Sequence, residues 1–442
     1  MKLKIDLNSI YLIIITLFFF FWGVNLEIIG ELSFLSVDTK TNNFLSNNFR
    51  FSYLIILLII PIFYNIFKEK KLSFIQIFNY QNSILLFVLL VVAHFFLVKI
   101  YYNELIDKNE IINLIYFFSL GIIYCHYRNL IFDNFYKLLL FFLAIFVFYS
   151  IFESSQIYNV GQCNADFFLI NFFNDYLSIN FTNSIFLENS HLAMMLIAVF
   201  FSSLSLLINN KIQNTIFISL FIISIIITLN NLSTTFFVGY FISQITLLLF
   251  FYKRISRKYW IITTLFLLIN SYIFFADKNC TVKITDFKTQ DIQQNLLKKN
   301  DTNMTTLIYQ RSIIVVKETL FNHTFGWGMD GMDNANRNLL KNYNNNTAFW
   351  QLNRLNIKDG LSNFLKLFTE FGIFAFIIYI YFVKYILNLK IINSYNLFII
   401  VLFITLSIRG AGYFNGGFIF CLFEFFYFQE NIATHKIKKK LF

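Results

Sequence analysis

Four short patches of this chain carry side chains that can do chemistry. In "FLENSHLAMML", Phe186 to Leu196, Glu188 and His191 stand three residues apart at the entrance to an apolar run. Asn189 or Ser190 can cap the helix that follows, which places both groups beside the positive end of its dipole. Such a pair can act as acid and base or clamp a sugar hydroxyl; the plainer reading is a helix cap and an interfacial histidine. In "LNNLSTTFFVG", Ser233, Thr234 and Thr235 can offer hydroxyl and backbone N–H donors to a phosphate at a helix N-terminus, or can simply cap it. The third patch is Arg311 followed by Gly326, Gly328 and Gly331. A guanidinium presents a planar fork to phosphate oxygens, and glycines allow a ligand close to the backbone; a solvated arginine beside a turn is the alternative. The fourth is "SIRGAGYFNGG", where Arg409 and Tyr413 lie in a glycine-rich segment after an apolar run. An arginine so close to hydrocarbon is costly without an anionic partner, unless it snorkels to headgroups.

These residues must be positioned by a membrane protein. The 442 residues are 57% hydrophobic and 21% aromatic but only 13% charged, far below the charge content of soluble domains. Apolar runs about 20 residues long, enough to cross roughly 30 Å of hydrocarbon, recur throughout. The pattern predicts an all-α, polytopic integral membrane protein with about twelve spans. They run near 10–30, 51–67, 80–100, 111–127, 137–153, 190–208, 215–230, 235–252, 259–276, 363–384, 396–409 and 417–429. The first run is too long for the apolar core of a signal peptide and lacks a small-residue cleavage site, so it is read as a span.

The net charge of +11 is topogenic. Lys and Arg concentrate on one side of the predicted spans, at Lys68, Lys70, Lys71, Arg254, Arg257, Lys258 and Lys436 to Lys440 among others, whereas the short loops opposite hold only Lys40, Arg50, Lys99, Lys108 and Arg409. The positive-inside rule then puts both termini in the cytoplasm and argues against a nucleic-acid partner. Ionisable residues inside the spans are scarce, His94 and Glu424 foremost, so a proton-coupled carrier with an intramembrane relay is disfavoured.

The chain divides into an N-terminal bundle of about nine helices (1–276), one large outer loop (277–362) and C-terminal helices with a basic tail (363–442). Within the loop, "YQRSIIVVKETLFNHTFGWGMDGM" reads as an amphipathic helix and a glycine-punctuated turn, and an Asn-rich stretch with aromatics follows. Arg337 and Arg354 are further phosphate candidates there; Asp330, Asp333 and Asp359 are further acid/base candidates. Cys163 and Cys280 both fall in outer loops and could pair in an oxidising compartment. Nothing has metal-ligand spacing, and no cofactor or metal is expected.

Together the patches resemble the O-antigen polymerase (Wzy) family and its relatives, the O-antigen ligases. "ENSHLAM" is similar to the family's E-x-SH-x-A entrance to a middle helix, and "LSTT" to its Ser/Thr-rich turn. "R…GWG" followed by "DGLSNFLKLFTEFGIFAF" resembles the loop ending in a helix with a Glu-x-Gly signature, and "IRGAGYFNGG" the arginine-bearing re-entry near polymerase C-termini. The resemblance implies a GT-C-like glycosyltransferase in the bacterial inner membrane. It would join undecaprenyl-diphosphate-linked oligosaccharides, as donor and acceptor, at the periplasmic face without metal. A chain-length regulator and a flippase would be further partners. Implied site residues are Glu188, His191, Arg311 and Arg409 for catalysis, and Arg337, Arg354, Ser233, Thr234, Asp359, Asn363 and Tyr413 for substrate binding. Where ligases and some polymerases carry a His-Asn pair this chain has Ser362 and Asn363, so the histidine used as a base in ligases is missing at that place. A lipid-linked oligosaccharide flippase or a ligase are the rival readings.

Overall fold

In the computed structural model, residues 7–21, 24–25, 48–49, 54–68, 74–102, 108–152, 189–209, 214–230, 234–276, 304–341, 357, 360, 362–389, 391–410, 412–414 and 416–428 are described. The elements in chain order are α1 (Leu7–Phe20), α2 (Ile55–Lys68), α3 (Phe74–Ile77), α4 (Asn82–Tyr101), α5 (Lys108–Asp133), α6 (Phe135–Phe152), α7 (Asn189–Ile208) and α8 (Thr215–Asn230). Then come α9 (Thr234–Phe251), α10 (Arg257–Ala276), α11 (Met304–Asn322), α12 (Met332–Lys341), α13 (Asn363–Phe371), α14 (Ala375–Asn388), α15 (Ser394–Ile408) and α16 (Phe418–Phe428). The only described strands are the two-residue segments Val24–Asn25 and Asn48–Phe49, paired antiparallel. The expected first span to about residue 30 is therefore corrected: α1 stops at Phe20, ahead of Gly23 and Asn25, both poor helix formers.

Three helices among the described residues are long and apolar enough to cross a membrane: Asn82–Tyr101, Glu110–Asp133 and Asn363–Asn388. Shorter apolar helices accompany them, including α1, α2, α15 and α16. Their outward faces carry bare aliphatic and aromatic side chains, among them Ile60, Leu86, Leu90, Ile261, Leu268, Phe376 and Ile380. An apolar exterior suits hydrocarbon rather than water. Several hydroxyls inside the helices are satisfied locally: Thr16 donates to Leu12 O at 2.6 Å, Ser202 to Ala198 O at 2.7 Å and Ser271 to Leu267 O at 2.7 Å. That is the arrangement a medium without water demands.

The core sits on α15 and α16. From Ser394 to Ser407, α15 is buried at nearly every position, and Phe418 to Phe426 of α16 are buried without interruption. Helices apolar on all sides belong in the centre of a bundle. The most extensive helix pairing is between α15 and α7. Aromatic rings fill the interior, as where Phe87 of α4 stacks on Phe426 with centroids 3.9 Å apart.

The described part of the segment beyond α10, residues 304–341, packs on this bundle. The expected amphipathic helix and glycine turn are present as α11 and residues 323–331. Helix α11 packs along α13, and the turn lies on the ends of α4 and α5. There His94 Nε2 is 2.8 Å from Phe325 O, and Asn113 Nδ2 donates to Asp330 at 3.0 Å.

Candidate functional site

The span that follows the loop opens with a polar stripe. Asn363, Lys366 and Glu370 recur at intervals of three and four on α13, one helical face, and all three are buried. The opposite positions, Phe364 and Phe368, make aromatic contacts with Tyr379 and Phe376 of α14. Ser362 caps the helix: its Oγ accepts the Leu365 N–H at 3.3 Å and donates to Ser407 O at 2.7 Å. Ser362 thus ties α13 to the end of α15.

The stripe faces the re-entrant segment between α15 and α16. Asn363 Oδ1 accepts the Gly412 N–H at 3.1 Å. Gly410 packs so closely on the Asn363 carboxamide that a Cβ there would collide with Nδ2. Lys366 Nζ lies 3.6 Å from Glu370 Oε1 and 5.1 Å from the centroid of the Tyr413 ring. The Tyr413 phenol faces the Glu370 carboxylate at interacting distance without the alignment of a formed hydrogen bond. Burial, and then the neighbouring carboxylate, push that phenol well above its ordinary pKa.

The glycines of the loop serve the protein's own backbone. The expectation was a close approach to a ligand; Gly326 instead packs on the Glu370 carbonyl, and Gly372 on Thr324. Both have positive φ, 83° and 53°, where only glycine is unstrained. Gly372 also interrupts the expected continuous helix of 363–384, which passes through a 3₁₀ turn at Gly372–Phe374 before α14. The break is sewn to the loop: Trp327 N donates to Thr369 O at 3.0 Å, Gly328 N to Glu370 O at 2.9 Å and Ile373 N to Thr324 O at 2.9 Å. Met332 N, opening α12, reaches Glu370 Oε1 at 3.4 Å.

Arg311 is 0% exposed, the bulkiest wholly buried side chain among the described residues. It projects from α11, two residues after Tyr309, whose hydroxyl donates to Ile408 O at the end of α15. Burial pushes the Tyr309 phenol up to about 12, against the lowering influence of the Arg409 charge and of Ser362. Arg409 is the C-cap of α15, with extended backbone and its N–H on Thr405 O at 3.0 Å. The fold therefore brings Arg311, Arg409, Asn363 and Tyr413 to one end of the bundle, where α11, α13 and the re-entrant segment meet. Lys366 and Glu370, absent from the sequence-level candidates, complete that cluster. The signal for them was the period of three and four among charged residues at the start of an apolar helix.

Other candidates lie elsewhere. Arg337 is 67% exposed on α12 and pairs with Asp333 at 2.7 Å, one turn earlier. That hydrogen bond holds its charge even more firmly than usual. Glu188, Ser233, Arg354, Asp359, Cys163 and Cys280 fall outside the described residues. His191 lies in the first turn of α7 and Thr234 opens α9, though their side chains are also outside the described set. Among the described residues, no group of three His, Cys, Asp or Glu could hold a metal ion.

A second buried ionic cluster is self-contained. Arg128 on α5 grips Glu424 on α16 with both ends of its fork, at 3.1 and 2.6 Å. Tyr124 and Tyr395 donate to the same carboxylate at 2.6 and 2.9 Å. The guanidinium lies over the Phe132 and Tyr427 rings at 4.7 and 4.4 Å. Every strong acceptor site is taken, so this cluster clamps helices together and is not open to a ligand.

No family model, curated protein or solved structure matches this chain. Its chemistry has to be argued from the site itself.

Proposed function

We propose that this chain is a membrane glycosyltransferase, an O-antigen polymerase that joins undecaprenyl-diphosphate-linked oligosaccharide repeats at the periplasmic face of the bacterial inner membrane. The observation that carries the reading is the burial of Arg311 on a loop helix, against the helix-entry and re-entrant segments that also hold Asn363, Arg409 and Tyr413. A wholly buried cation on an otherwise apolar bundle is expensive, and handling an anion is one role that offsets the cost. In this reading twelve spans traverse the membrane, both termini are cytoplasmic, and the 277–362 segment is periplasmic.

A hydroxyl of the incoming unit attacks the anomeric carbon of the growing glycan. The bond to diphosphate breaks, and the electron pair leaves with the lipid-linked diphosphate. Arg311 and Arg409 stabilise that developing charge, which a guanidinium can do without a metal. Glu188 or His191, in the sequence leading into α7, serves as base or acceptor clamp. The absence of histidine at Ser362 favours polymerase over ligase, and the scarcity of charge inside the spans favours bond formation over transport.

The test has two arms. Lipopolysaccharide from a strain lacking the gene should carry a single repeat unit; core alone would indicate ligase or flippase. Purified protein in liposomes should lengthen supplied lipid-linked units, and movement of those units without new glycosidic bonds would reject the proposal.

A further inference from the structure

Buried polar atoms in folded proteins nearly always have hydrogen-bond partners, so a local concentration of exceptions marks a place where something else binds. Such a concentration lies beside Lys366. Glu370 Oε2, the Tyr413 hydroxyl and Asn363 Nδ2 are all buried without a well-aligned hydrogen-bond partner, although the phenol and the carboxylate face each other. They come from one face of α13 and from the re-entrant segment against it. The set combines donors with one anionic acceptor, which is complementary to a hydroxyl group rather than to an anion or an apolar chain.

The remaining geometry gives the carboxylate a task. Its Oε1 is held by Met332 N–H at 3.4 Å and faces Lys366 Nζ at 3.6 Å, and the Asp330 backbone and the Tyr413 hydroxyl also approach the carboxylate, so Oε2 is the oxygen without an aligned donor. Among the described residues, a Cβ built on Gly412 would meet Lys366 Nζ, 3.8 Å away, so the re-entrant backbone lies beside the ammonium. Gly412, Gly416 and Gly417, at φ of 111°, 66° and 88°, form the backbone of that segment. The groups around the carboxylate are Lys366 from its own helix, Tyr413 from the re-entry and Asp330 from the loop.

We infer that Glu370 is the proton acceptor for the attacking sugar hydroxyl, with Lys366 and Tyr413 holding its carboxylate in position. This rests on the polymerase reading and supplies the base that Ser362 cannot be. As the acceptor oxygen bonds to the anomeric carbon, its proton passes to Glu370 Oε2. The glycosyl–phosphate bond breaks with its electron pair on the diphosphate, and the proton leaves Glu370 for solvent. Lys366, 3.6 Å from Oε1, and the Tyr413 hydroxyl facing the carboxylate orient it for the step.

A buried ion pair kept only for structure can be replaced by two neutral groups of similar shape, whereas a base cannot. The test therefore uses full-length protein in liposomes, supplied with lipid-linked repeat units extracted from the gene-deletion strain. The double variant Lys366→Met with Glu370→Gln should bind those units within twofold of wild type but form dimeric product at least about 100-fold more slowly. Glu370→Asp should keep a measurable intermediate rate. Tyr413→Phe, which preserves the ring, should lose about tenfold in turnover with unchanged binding. Wild-type turnover in the double variant overturns the inference while leaving polymerase activity intact. Should the double variant fail to fold, wild-type turnover in Tyr413→Phe, together with none in Glu370→Asp, overturns it equally. A wild-type protein that forms no bonds removes the polymerase reading itself.

Discussion

Asn363 Oδ1 accepts the backbone N–H of Gly412 at 3.1 Å, which fastens the first turn of α13 to the re-entrant segment between α15 and α16. Both partners are buried, so Asn363→Ala leaves a backbone donor unsatisfied at a cost of about 1–3 kcal/mol. We expect a lower thermal midpoint in detergent together with shortened glycan chains. Asn363→Asp keeps the accepting oxygen and should recover more of the stability than alanine does. Equal losses in the two variants would show that the bond to Gly412 is not what the residue contributes.

The loop glycines make a graded prediction. Gly326 and Gly372 combine positive φ with backbone atoms where a Cβ would have to sit, whereas Gly328, at φ 80°, has Val98 Cγ1 no nearer than 3.5 Å. Gly328→Ala should cost about 1–2 kcal/mol, the penalty of left-handed backbone alone. Gly326→Ala and Gly372→Ala should cost clearly more and prevent recovery of folded protein. Thermal unfolding of the three variants ranks them; a milder Gly326→Ala would contradict the docking of the loop on α13.

Much of this architecture was legible because apolar run length and helix length are governed by the same hydrocarbon thickness. The runs near 190–208, 215–230 and 396–409 became α7, α8 and α15 with boundaries within two residues. What escaped was tertiary. Nothing local in "KLFTEFG" says that the helix breaks at Gly372 because a loop distant in sequence lies on it, or that Lys366 and Glu370 turn inward to Tyr413. Nor does local pattern separate Arg311 from Arg337: both stand on polar helices of the loop, yet one is wholly buried and the other 67% exposed. Burial is decided by which helix α13 packs against.

The Arg128–Glu424 clamp should behave as structure. Removing one partner strands a buried charge, so Arg128→Ala should cost about 3–5 kcal/mol and deplete the protein from membranes. The pair Arg128→Met with Glu424→Gln should recover a large part of that loss. Membrane abundance and thermal midpoints of the three proteins check this. A double variant no better than Arg128→Ala would mean that the charges contribute more than helix docking.

Topology can be read with the native thiols. Cys125 and Cys421 are buried in the bundle, whereas Cys163 and Cys280 lie in segments that the polymerase reading places in the periplasm. A membrane-impermeant maleimide added to intact spheroplasts after mild reduction should label the wild type and no longer label Cys163→Ser with Cys280→Ser. Labelling that requires membrane lysis would place the loop on the cytoplasmic side and remove the basis for a periplasmic enzyme.

The two described loop arginines then give the sharpest contrast. Arg337 is solvated and shares its charge with Asp333 one turn away, a surface pair of the kind that contributes at most about 1 kcal/mol. Arg337→Ala should leave both stability and glycan length unchanged. Arg311 is buried at the junction of α11 and α13, and removal of a charge-stabilising donor typically slows catalysis about 100- to 1,000-fold. Arg311→Ala should abolish long chains, and Arg311→Lys should not restore them, because an ammonium lacks the planar fork. Since a buried arginine can also matter for folding, membrane abundance must be measured beside the glycan ladder. Normal abundance with short chains supports a role in diphosphate handling. Full-length chains from Arg311→Ala would instead show that the cation serves only to hold the loop helix against α13, and the enzyme reading would lose its principal residue.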